Sequence, residues 1–207
     1  MSANAESSPF AGTPLLQASY NGQLACMQVL LDAGADINRP DCHGVTALYC
    51  AAWKGNLAAI NCLLERGAVV NCRNRSGKTP LLAACRNGHR AVVAALLKAA
   101  AHPRMAARRE TPLYLAALRG DVEMVDSLLA AGADPLEDRG ILLCFIGRIP
   151  RAIAQKKRDS ATDVAARERY ANIVQRLQQL TVAQRPGKSP SPVLNLPQQG
   201  QDQETSC

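Results

Sequence analysis

The residues of this sequence best suited to nucleophilic, redox or metal chemistry are its eight cysteines and three histidines. Such chemistry needs them in groups. A redox couple takes two thiols at C-x-x-C spacing, a structural zinc takes four Cys or His ligands, and an acyl-transfer nucleophile takes a base within hydrogen-bonding reach. Cys26, Cys42, Cys50, Cys62, Cys72, Cys85, Cys144 and Cys207 form no C-x-x-C pair, and His43, His89 and His102 keep no ligand spacing to them. The tetrapeptide Gly77-Lys78-Thr79-Pro80 ends like a phosphate-binding loop but lacks the upstream glycine that such a loop requires. No nucleophile elbow and no pair of carboxylates placed for acid–base work stands out. The sequence reads as non-catalytic, with no cofactor and no bound metal.

Composition narrows the class. Hydrophobic residues make up 47% and charged residues 20%, as in a soluble globular domain, but only 3% are aromatic, so the core must be built from Leu, Ala and Val. The first twelve residues hold Glu6 and no basic cluster ahead of an apolar run, unlike a secretory signal, and no run reaches about 18 apolar residues. The expectation is a monomeric, cytoplasmic protein, with the nucleus as a second compartment and with reduced, structural thiols. The net charge of +7 is uneven: Thr13–Gly140 holds 14 basic and 11 acidic residues, Ile141–Cys207 holds 10 and 5. Within the latter, Gln155-Lys156-Lys157-Arg158 has the composition of an import signal or of a contact for nucleic acid or an acidic membrane.

The elements that would position any functional residue announce themselves by repetition. TPLLQASYNG at Thr13 returns as TALYCAAWKG at Thr46, TPLLAACRNG at Thr79 and TPLYLAALRG at Thr111, at intervals of 33, 33 and 32 residues. A fixed period of this size marks a solenoid of small supersecondary units. In each copy Thr suits a helix N-cap, the following Pro or Ala suits the first helical turn, and Gly22, Gly55, Gly88 or Gly120 suits the left-handed residue that ends a helix. A second helix follows, apolar at helical spacing as in Ala58, Ile60, Leu63 and Leu64, and closes at Gly34, Gly67 or Gly132. One such pair cannot bury its own apolar face, so neighbouring units must stack.

The pattern T-P-L-x-x-A-A, then Gly, then LL-x-x-G-A-D resembles the ankyrin repeat. The resemblance covers four in-phase units from Thr13 to Gly140 and implies an all-α ankyrin-repeat solenoid of helix-turn-helix units with β-turn fingers. The family's usual His after T-P-L is replaced by Leu16, Tyr49, Leu82 and Tyr114. The third unit is one residue short and carries Ala100 where its neighbours have glycine, so an irregular finger is expected there. The organisation that follows is a flexible N-terminus (1–12), a repeat domain (13–180) with units starting near 13, 46, 79 and 111, and a disordered tail (181–207). A degenerate capping unit starts near Ser160, after an insertion over 141–158 that Pro150 keeps from being one continuous helix.

In the family so resembled, partners lie along the finger tips and the exposed side of the first helices. Carried onto this chain, the helix positions are Tyr20 and Asn21, Trp53 and Lys54, Arg86 and Asn87, and Arg119; the finger positions include His43, Arg75, Lys78 and Arg109. Two aromatics among many cations suit an acidic or phosphorylated segment of another protein. The implied function is a non-catalytic protein-binding module acting as adaptor, scaffold or inhibitor. The alternative is a regulatory protein that touches nucleic acid or acidic membrane through its basic C-terminal segment.

Overall fold

The computed structural model describes residues 12–107 and 110–134, together with the helical residues Asn172, Ile173, Gln175 and Gln179. Eight short helices succeed one another: α1 (Pro14–Asn21), α2 (Leu24–Asp32), α3 (Ala47–Lys54), α4 (Leu57–Glu65), α5 (Pro80–Asn87), α6 (Arg90–Lys98), α7 (Pro112–Arg119) and α8 (Val122–Ala130). No strand occurs among the described residues, only an isolated antiparallel bridge between Ala107 and Glu110.

Each odd-numbered helix starts and stops where its residues require. Thr13, Thr46, Thr79 and Thr111 accept the amide of the third residue onward at 3.5, 3.4, 3.3 and 3.0 Å. The N–H of Leu16, Tyr49, Leu82 or Tyr114 is thereby satisfied. Helices of eight or nine residues are unstable in water alone, and stacking supplies what propensity does not. α1, α3, α5 and α7 pack in one row and α2, α4, α6 and α8 in a second, each odd helix also against its following even one. Leu15, Leu48, Leu81 and Leu113 occupy the same position in successive inner helices and are at most 2% exposed. Ala51, Ala84 and Ala116 are fully buried between them, small enough for close approach of the rows. Met27, Ile60, Val93 and Val125 do the same work from the outer helices.

The short third unit is irregular in its finger, as expected, while its helix end is kept. Ala100 does take the left-handed conformation, φ +60°, at the place where Gly34, Gly67 and Gly132 have +83°, +84° and +91°. Its amide and that of Ala101 still reach Leu97 O and Leu96 O, as Gly67 and Ala68 reach Leu64 O and Leu63 O, so the helix end is preserved despite the strain. The missing residue is absorbed further on, in the finger. The first two fingers turn around a side chain: Asp41 Oδ1 accepts from His43 N and Val45 N, and Asn74 Oδ1 from Ser76 N and Lys78 N. The third has Ala107 in that role, with no acceptor, and closes by two reciprocal backbone bonds with Glu110.

Ile173 is fully buried in the same core cluster as the eight helices. The expected insertion (141–158), the tail (181–207), the N-terminal segment up to residue 11 and most of the expected capping unit lie outside the described residues. Among those described, no helix is long and apolar enough to cross a membrane.

Candidate functional site

The last carbonyls of a helix have no partner within it. In this stack the next unit supplies one. Asn56 Nδ2 donates to Ser19 O and Tyr20 O at 3.3 and 3.1 Å, Asn87 Nδ2 donates to Trp53 O at 2.7 Å, and Arg119 Nη1 donates to Arg86 O at 3.0 Å. His89 Nε2 also lies 3.0 Å from Trp53 O, a bond that needs the proton on that nitrogen. The ring passes so close to Gly55 that a Cβ there would lie 2.7 Å from His89 Cγ and Cε1. Gly55 is thus required twice, for its φ of +81° and for the space its neighbour occupies.

These bonds set the ends of the inner helices edge to edge, and with them the strip of side chains singled out from the sequence. Asn21, Lys54 and Arg119 are exposed. Trp53 is half-buried, its ring stacked on Tyr49 with centroids 6.3 Å apart and planes at 21°. Tyr20 is withdrawn into the core at 9% exposure, and the Lys54 ammonium sits 4.4 Å from its ring centroid, so Tyr20 presents itself through the cation above it. Asn87 is half-buried, its amide committed to the Trp53 carbonyl. Arg86, half-buried, pairs with Glu110 of the third finger. Burial pushes the Tyr49 phenol above its usual range, and the Arg86 guanidinium beside it works in the opposite direction.

The finger residues continue the strip. His43 and Arg75 are exposed and joined through their backbones, Arg75 N donating to His43 O at 2.9 Å, while Lys78 is half-buried. Arg109 lies outside the described residues. Sequence reasoning did not find the Arg86–Glu110 pair or the bridging role of Asn56; the partners are 24 to 37 residues apart, and only stacking brings them together. Arg75 and Lys78 enter none of the ion pairs among the described residues, and neither does Lys54; those pairs join Arg66 to Asp32, Arg90 to Asp121 and Glu123, and Arg86 to Glu110.

Two of the thiols are placed where they cannot react. Cys50 and Cys85 are fully buried, and burial first, with Asp41 and Asp121 adding to it, pushes their thiols up to about 12. A thiol so protonated is a packing group.

A family model described as ankyrin repeats (3 copies) matches residues 2–74 and again 67–138, together more than half of the chain. The chain belongs to the ankyrin-repeat family. A search of the curated proteins returned no match. Ankyrin repeats are protein–protein interaction modules, and the family is typically non-catalytic. His89, Asn56, Asn87 and Arg119 are therefore residues that hold one ankyrin unit to the next, and the exposed side chains around them form the outward surface of the stack.

Proposed function

We propose that this ankyrin-repeat chain is a non-catalytic adaptor, scaffold or inhibitor that binds an acidic or phosphorylated segment of another protein. The segment lies along the fingers and the ends of the inner helices. The observation that carries this reading is the difference in how charges on the strip are compensated. Its carboxylates are engaged internally: Asp41 Oδ1 holds the first finger, and Glu110 holds Arg86. Lys54, Arg75 and Lys78 keep their charge without an ion-pair partner among the described residues. Complementary charge steers encounter and fixes register, and the half-buried Trp53 beside Lys54 supplies the apolar anchor that charge alone does not. The protein acts as a monomer in the cytoplasm, and in the nucleus where its partner is found there.

The test is charge reversal. The partner is first recovered by proximity labelling in cells and its binding to the purified chain is measured. Lys54→Glu, Arg75→Glu and Lys78→Glu combined should abolish that binding while helicity and the unfolding midpoint are retained. Unchanged affinity refutes the reading. DNA binding that falls steeply with salt would favour the basic segment near Gln155–Arg158 instead.

A further inference from the structure

The second finger carries a serine in an unusual charge environment. Ser76 is exposed at the tip, between Arg75 and Lys78, with Arg73 three residues before it. Its amide is bound to Asn74 Oδ1 at 3.0 Å, but its hydroxyl makes no hydrogen bond among the described residues. None of Arg73, Arg75 and Lys78 is in an ion pair among those residues. An accessible hydroxyl with cations one and three residues ahead of it is what a serine kinase with an acidic substrate groove recognises, because substrate charge pattern is a main source of kinase discrimination.

We propose that Ser76 is a phosphorylation site that switches the partner strip off. Its regulatory half rests on the reading of that strip given above. The reaction transfers the γ-phosphoryl group of ATP to Ser76 Oγ; the hydroxyl proton leaves to the kinase's base, and ADP is released. A kinase takes its substrate extended, so the finger must open. Opening breaks the bonds from Asn74 N to Lys78 O, from Gly77 N to Asn74 O and from Arg75 N to His43 O, together with the two amides held by Asn74 Oδ1. None of residues 73–78, which are Arg, Asn, Arg, Ser, Gly and Lys, has an apolar side chain of its own to withdraw from the core. Segments held by hydrogen bonds alone are the ones that open locally at little cost.

Once in place, the phosphate adds about −1.5 to −2 charges beside the two finger cations on which the partner depends. Arg75 and Lys78 then have an acidic group within their own loop, always present, and an acidic segment arriving from solution meets a neutralised or repulsive finger. Lys54 and Trp53 on the second inner helix are untouched. The switch therefore weakens the partner contact without dismantling the surface.

The full-length chain is incubated with ATP and the catalytic subunit of an arginine-directed serine kinase, and the modified residue is located by mass spectrometry. Binding of a poly-glutamate peptide is then measured for the unmodified chain, the phosphorylated chain, the phosphatase-treated chain and Ser76→Ala carried through the same kinase step. The expected result is phosphate on Ser76, at least tenfold weaker peptide binding, recovery after phosphatase, and no weakening in Ser76→Ala. Phosphate confined to other serines overturns the site. Phosphate on Ser76 with unaltered binding overturns the switch alone. If the unmodified chain does not bind the peptide, the strip reading falls and the switch with it, whether or not Ser76 is modified.

Discussion

Gly55 and Gly67 lie in the same unit with nearly the same backbone, φ +81° and +84°, yet alanine should affect them very differently. At Gly67 nothing comes within 4 Å of the added Cβ, so the variant bears only the left-handed penalty of an L-residue, about 1 kcal/mol. At Gly55 the Cβ falls 2.7 Å from His89 Cγ and Cε1, well inside contact distance. The ring must leave, which breaks its bond to Trp53 O, about 1 kcal/mol, and forces repacking between the second and third units, about 1–3 kcal/mol more. The total for Gly55→Ala is about 3–5 kcal/mol against about 1 kcal/mol for Gly67→Ala. Urea unfolding followed by far-ultraviolet circular dichroism measures both. In a His89→Ala background the obstruction is gone, and the Gly55→Ala penalty should shrink to about 1 kcal/mol, the backbone contribution alone. Equal losses for the two glycine variants, or a Gly55→Ala penalty that ignores the removal of His89, would refute the idea that inter-unit contact dictates this glycine.

Other consequences can be checked with the same protein. Ala100→Gly should raise stability by about 0.5–1 kcal/mol, because it relieves a left-handed alanine at φ +60° whose helix-ending hydrogen bonds are already made; a lower urea midpoint would contradict this. Exposed Cys26 and Cys42 should react with a disulfide reagent in the native state, whereas Cys50 and Cys85 should react only on unfolding. The same burial has a pH signature. Both thiols are raised from 9.0 to about 12, so the folded state keeps protons that the unfolded chain releases; this contribution is complete below 9 and is lost as pH climbs towards 12, which a falling urea midpoint would record. Glu110→Gln should release Arg86 to the strip and tighten poly-glutamate binding about twofold to fivefold, on the scale of a partly exposed ion pair; unchanged or weaker binding would argue that Arg86 has no part in the contact.

Much of the candidate surface was legible only as a list. The 33- and 32-residue repetition aligned the units, and the resemblance to the ankyrin repeat then picked out Trp53, Lys54, Arg75 and Lys78 as positions where that family meets its partners. The list did not distinguish an exposed Lys54 from a Tyr20 buried beneath it, or a charge-paired Arg86 from an Arg75 with no ion-pair partner. Those differences arise between units, where a side chain's partner is some thirty positions away and no local spacing records it. The third finger shows the same division. The absent residue, Ala100 and hence an irregular finger were visible in the letters, but not that the helix end would hold its hydrogen bonds despite the left-handed alanine.

By itself, the order of residues determined the helix ends, since a threonine oxygen caps its own third amide and a glycine takes the left-handed turn wherever the chain goes next. It also determined that the units must stack, because none has enough apolar surface to form a core alone. Only the tertiary structure decided which charges face outward uncompensated and which glycines are held by a neighbour. Those properties belong to contacts across the stack, and a contact between two units exists only after both have folded against each other.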